Sequence, residues 1–218
     1  MSPDELHKIF KTLLAFFGPQ NWWPARTRLE TVVGAVLVQN TAWSNADKAL
    51  GNLRQAGRLN WLALSSMTPE ELAPYIRPSG YYNLKAQRLA NLLTLFKKYN
   101  PWHSFFKQDL PVARKLLLEV KGIGQETADV LLLYVGRQPV FVVDAYSLRI
   151  CSRHGWLPPK AGYNDMQAFF MERLSPDVEL FVEFHALLVA LGKHFCFKSK
   201  PLCANCPLFP WLEGSHEA

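Results

Sequence analysis

The sequence predicts an all-α protein. Apolar residues recur at helical spacing along most of the 218 residues, and two segments open with capping boxes, Ser2-Pro3-Asp4-Glu5 and Thr68-Pro69-Glu70-Glu71. The third observation is the stretch Leu117–Arg149, which reads as a helix, a tight glycine turn, a second helix, a short apolar crossing and a carboxylate. Nearly half of the residues are apolar, enough for a real core at this length. A formal charge of +6 and a pI near 9.2 favour a polyanionic partner. No window approaches the roughly 18 apolar residues of a membrane span, and the N-terminus lacks the layout of a signal peptide. A soluble cytoplasmic protein is expected, without a membrane partner.

Taken in order, the first capping box starts an amphipathic helix through Leu6, Ile9, Phe10, Leu13 and Leu14, broken at Gly18-Pro19-Gln20-Asn21. Trp22-Trp23-Pro24 follows as an irregular segment. Two adjacent tryptophans cannot both face one core from a regular helix, which leaves one for a cleft. Thr27 to Asn40 is apolar nearly all round, as in a buried helix, and ends in polar Gln39-Asn40-Thr41. The pattern restarts after Trp43 as Ser44 to Leu53. Thr68 starts a short helix to about Ile76, and Ser79–Ala86 turns into a helix with Leu89, Leu92, Leu93, Leu95 and Phe96 on its apolar side. A further helix from about Pro111 leads into the glycine turn. Beyond Asp144 come helices to Arg153, over about Tyr163 to Leu174, and over about Val178 to His194. No repeat, low-complexity run or long linker interrupts them, so they form a continuous bundle.

Val120-Lys121-Gly122-Ile123-Gly124 places glycines two apart between apolar-periodic segments. The chain can therefore turn with positive φ and leave backbone N–H groups unpaired at the next helix's N-terminus, a ready phosphate site. Asp144 lies twenty residues past Gly124, directly after Val140-Phe141-Val142-Val143. A charge there must be neutralised, hydrogen-bonded or functional. On this turn, and on Val143-Asp144-Ala145-Tyr146-Ser147-Leu148-Arg149, the chain resembles the helix-hairpin-helix DNA glycosylases of the endonuclease III superfamily, from about Trp22 to Cys206.

The resemblance implies an endonuclease III-like two-domain helical fold with a helix-hairpin-helix motif and a C-terminal iron-sulfur-type loop. One domain of six helices would span residues 27–136, and residues 1–26 plus 137–218 would form the second, with the functional cleft between them. It also implies roles. Lys121 and the amides of Gly122 and Gly124 would bind a DNA phosphate, Gln39 would fill the gap left by an extruded base, Trp22, Trp23 and Trp43 would supply aromatic faces for it, and Asp144 would be the catalytic carboxylate. The partner would be double-stranded DNA containing damaged bases, bound by a monomer.

Two departures qualify that picture. Endonuclease III proper carries its Schiff-base lysine two residues after the last hairpin glycine, where this chain has Glu126. A carboxylate forms no imine, so a monofunctional glycosylase without lyase activity is expected, Glu126 taking the catalytic lysine's position. Gly122-Ile123-Gly124-Gln125-Glu126-Thr127-Ala128-Asp129, with the tryptophan pair, Gln39-Asn40-Thr41 and Val142-Val143-Asp144, is most similar to the 3-methyladenine DNA glycosylase III branch. A positively charged alkylated base suits an aromatic pocket through cation–π attraction.

The second departure concerns metal. Three of the four cysteines lie within Cys196–Cys206, which favours metal over a disulfide framework. Cys196, Cys203 and Cys206 match three ligands of the family's loop for a 4Fe-4S cluster, but Leu212 stands where the fourth is expected, and Cys151 reads as a core thiol. An outside ligand such as His216, solvent or a partner, a zinc site with His194 or His216, and a loop that has lost its metal all stay open. Lys198 and Lys200 of the loop can reach phosphate. The competing functions are an endonuclease III-like glycosylase for oxidised or deaminated bases, and a non-catalytic DNA-binding helix-hairpin-helix protein.

Overall fold

The computed structural model describes residues 1–158 and 160–212, and every regular element among them is helical. The chain falls into two compact units, Met1–Trp22 with Pro139–Ala218, and Trp23–Gln138. Helix α1 (Pro3–Phe17) opens the first unit through the predicted capping box, in which Ser2 and Glu5 satisfy each other's backbone amides. Its Leu6, Ile9 and Leu13 are fully buried.

The Trp23–Gln138 unit is built on α2 (Arg28–Leu37), capped by Thr27 and buried from Leu29 to Leu37. Even Glu30 is covered, and Arg54 pairs with it at 3.2 Å. The all-round apolar sequence leaves no face for solvent, so other helices must surround it. The helix stops at Leu37 and not at Asn40, because Asn40 adopts φ 53°, the left-handed conformation that asparagine tolerates. After it come α3 (Trp43–Gln55), α4 (Trp61–Ser66), α5 (Pro69–Leu72) and α6 (Tyr82–Phe96). The apolar pattern did not announce α4, which is anchored by Trp61 stacking on Trp102 with ring centroids 5.5 Å apart. Tight turns, not α-helix, carry the chain from Leu72 to Ile76. Finally α7 (Leu110–Leu118) and α8 (Gln125–Val130) flank the glycine turn, and α8 widens into a π-helical turn over Leu131–Val135.

Within this unit Lys85 of α6 is 1% exposed, its Nζ donating to the carbonyls of Leu37 at 2.8 Å and Ser79 at 2.6 Å. It ties the end of α2 to the turn before α6. Burial pushes its pKa down, and the neighbouring Arg88 adds to the effect.

The first unit resumes after Gln138 with Val140–Val143, a fully covered crossing without regular structure. Then follow α9 (Ala145–Arg153), α10 (Tyr163–Met171) and α11 (Val178–His194). Phe141 stacks on Phe170 at 4.0 Å between centroids, and Phe181 and Phe184 meet it edge-on at 5.6 and 6.1 Å. A buried side chain of this size contributes about 1.5–3 kcal/mol, so this cluster is the centre of the unit's stability. Helix α11 packs against α1 and α9. No helix among the described residues is long and apolar enough to cross a membrane.

Candidate active site

The glycine turn in the Trp23–Gln138 unit is held from both sides. Beneath it, Arg114 of α7 donates from Nε and Nη2 to the two carboxylate oxygens of Asp129 on α8, at 2.8 and 3.1 Å, and the Asp129 side chain is fully buried. The aspartate of the Gly-Gln-Glu-Thr-Ala-Asp run is thus a structural clamp between the two helices. Across it, Gln39 donates from Nε2 to the Gly122 carbonyl at 3.3 Å and to Thr127 Oγ1 at 3.0 Å, while Arg88 Nη1 donates to Gln39 Oε1 at 2.6 Å. In the free chain, then, the side chain proposed to fill a DNA gap is fastened to the turn proposed to hold DNA.

The two hairpin glycines differ. Gly122 has φ +98°, and a Cβ on it would run into the Arg88 side chain. Gly124 has an extended φ of −95° and open space where a Cβ would sit, so positive φ is used once and not at both glycines. Neither amide has a backbone hydrogen bond, and Lys121 and Glu126 are exposed beside them. Gly122→Ala is expected to cost about 1–2 kcal/mol and to weaken duplex binding, whereas Gly124→Ala should stay within about 0.5 kcal/mol of wild type. Urea unfolding and a DNA titration of both variants check this.

Trp23 and Trp43 meet edge-to-face at 5.1 Å, with Tyr134 5.4 Å from Trp23. Gly34 makes the arrangement possible, since a Cβ there would approach the Trp43 ring to 3.2 Å. Trp22 belongs to the other unit, where Lys193 Nζ lies 5.2 Å from its ring centroid. Two of the three tryptophans are therefore brought together, and the third is paired with a cation of its own unit.

In that unit Asp144 is the N-cap of α9. Its Oδ1 accepts from the Ser147 amide at 2.7 Å, and Ser147 Oγ accepts from the Asp144 amide at 2.8 Å. His185 of α11 places Nε2 3.7 Å from Asp144 Oδ2, and both residues are buried. Burial pushes the Asp144 pKa up, but His185 and the Ser147 hydrogen bonds outweigh it, and the net value lies below the usual carboxylate range. A covered, ionised carboxylate is suited to stabilising positive charge that develops beside it. Arg149, the last residue of the aspartate motif, is structural, its Nε donating to the Cys196 carbonyl at 2.7 Å and Nη2 to that of Gly192 at 3.3 Å.

The cysteine loop starts from that anchor. Cys196, Cys203 and Cys206 line one hollow together with Arg153, His154, Phe195, Phe209 and Leu212. Arg153 Nη1 donates to Cys196 Sγ at 2.9 Å, whereas burial pushes the Cys206 thiol's pKa up against a backbone hydrogen bond from Leu208. Three cysteines around one hollow are the donor type that the family's cluster takes; Leu212, in the fourth position, offers no donor. No three His, Cys, Asp or Glu side chains among the described residues are gathered around the point a single ion would occupy. Cys151 is a fully buried thiol with its pKa pushed well up by burial and by the Asp144 charge, as a core residue should be. His194 packs against Phe17 at 6.2 Å and does not line the hollow, and His216 lies outside the described residues. Lys198 and Lys200 are exposed on the loop.

His185, Arg88 and Tyr134 had no role in the sequence reading. A lone histidine within the apolar run Phe181–Leu191 was the available signal for the first; the other two are recognisable only once distant segments meet.

The glycine turn between α7 and α8 and the buried Asp144 that caps α9 both lie within the residues that a family model matches. The chain belongs to the HhH-GPD superfamily of base excision DNA repair proteins, whose profile matches residues 33–176, and it is a DNA glycosylase of that superfamily. It is 43% identical over 208 residues to the "Putative DNA repair glycosylase MJ1434" of Methanocaldococcus jannaschii, covering 94% of each chain. It is 30% identical to the Helicobacter pylori 3-methyladenine DNA glycosylase solved with 1,N6-ethenoadenine, covering 88% of this chain and 98% of that one with a TM-score of 0.74. An endonuclease III solved in a non-covalent DNA complex superposes with a TM-score of 0.82 over all of this chain and 98% of that one, at 19% identity, a likeness of fold.

Proposed function

We propose that the protein hydrolyses the N-glycosidic bond of alkylated bases of the 3-methyladenine kind in double-stranded DNA and leaves the abasic strand uncut. The observation that carries this is a buried Asp144, its carboxyl held below the usual range by His185 and Ser147, together with a carboxylate, Glu126, where a lyase needs an amine. Lys121 and the free amides of Gly122 and Gly124 grip a phosphate, Gln39 exchanges its hairpin hydrogen bonds for the vacated base position, and Trp23 and Trp43 offer π faces to a cationic base. As the bond from C1′ to the base nitrogen lengthens, Asp144 stabilises the positive sugar and orients water for addition at C1′. His185 acts through Asp144, holding its free oxygen in place.

In the same reading, Cys196, Cys203 and Cys206 would hold a 4Fe-4S cluster, which would supply structural support to the loop carrying Lys198 and Lys200. The similarity to the H. pylori enzyme and the tryptophan pair support the substrate class. Glu126→Lys tests the missing lyase. It is expected to yield strand cleavage without alkali and a borohydride-trapped DNA adduct, both absent from wild type; wild-type protein that itself traps would refute the monofunctional reading.

A further inference from the structure

We infer that His154 supplies the fourth ligand of the metal group held by Cys196, Cys203 and Cys206. The inference rests on the cluster reading above and names the residue that completes it.

Four observations converge. His154 is 6% exposed and lines the same hollow as the three cysteines and Leu212. Its Nδ1 lies 3.1 Å from the carbonyl of Trp211, the residue immediately before Leu212, so the ring is fastened next to the vacated ligand position. A carbonyl only accepts, so Nδ1 carries the proton and the lone pair of a neutral ring is on Nε2. Ligating histidines characteristically donate their other N–H to a carbonyl or carboxylate, which fixes tautomer and orientation as this contact does. The ring also packs against Trp156, with centroids 5.0 Å apart. Leucine at 212 then has a reason, since a fourth thiolate would compete for the place the imidazole takes.

Among the described residues, the other histidine near the loop does not serve: His194 packs against Phe17 and does not line the hollow. A single zinc would need its ligands about 2.0–2.3 Å from one centre, and no three His, Cys, Asp or Glu side chains among the described residues are gathered in that way. A multi-iron group keeps its ligands further apart.

The test uses the full chain purified without oxygen, with iron, zinc and sulfide analysis and pulsed electron paramagnetic resonance of the paramagnetic cluster after labelling histidine with nitrogen-15. Wild type should hold about four irons and show a directly coupled histidine nitrogen. His154→Ala should lose that coupling and lose iron to a chelator at least tenfold faster. The double variant His154→Ala/Leu212→Cys should retain iron with no nitrogen coupling, which separates a lost ligand from a damaged fold. Full iron with no nitrogen coupling in wild type, or coupling that survives in His154→Ala, would overturn His154 while leaving the cluster standing. Zinc in place of iron, or no metal at all, would overturn both.

Discussion

Asp144→Asn is expected to lower base release by about 10²- to 10⁴-fold, the range attributed to one positioned acid–base group. Duplex affinity should change little. Asparagine is as good a helix cap as aspartate, so the Ser147 amide at 2.7 Å keeps its acceptor and α9 its start. What is lost is the negative charge beside the reacting sugar, and with it the interaction with His185. Single-turnover release set against a binding titration checks the split between chemistry and affinity. The pH dependence carries the same signature. Because the folded carboxyl titrates below the unfolded one, its stabilisation is complete above the ordinary value of 3.8 and is lost as pH falls through the lower folded value. Asp144 therefore stays ionised through the neutral range, and an acid limb in activity near neutrality would have to come from another group.

Lys85→Met should be the most damaging change to stability, with a loss of about 2–4 kcal/mol. Methionine fills the space of the aliphatic stem but leaves the carbonyls of Leu37 and Ser79 without their buried donor. The Leu37 carbonyl is at the C-terminal end of α2, where a positive charge is favourable. Losing the ammonium frees the end of the helix two residues before Gln39, so hairpin order should suffer as well. A fall in the urea midpoint at constant slope measures the first effect. Faster hydrogen exchange at the Gly122–Thr127 amides measures the second.

Local chemistry made much of this legible in advance. Capping boxes at Ser2 and Thr68 and the all-round apolar run to Leu37 name their helices through interactions within one or two turns. The hairpin and Asp144 are equally local, a turn and a cap with fixed spacing. Pairings between remote segments were not legible. Lys85 lies in a segment that reads as the exposed start of an amphipathic helix, and only the fold brings Leu37 and Ser79 to its amine. Arg88 meets Gln39 across 49 positions, and His185 meets Asp144 from a helix whose pattern is core throughout. Two glycines allowed a positive φ in the turn without saying which would take it; Gly122 does, while the backbone at Gly124 is extended with open space where a Cβ would sit.

The most direct measurement is base release from methylated duplex DNA beside uracil- and oxidised-pyrimidine duplexes, each with and without hot alkali and with borohydride present. Release of 3-methyladenine, strand breaks only after alkali and no trapped adduct are expected. Preferential release of uracil, or spontaneous breaks with a trapped adduct, would contradict the cation-selective, monofunctional site.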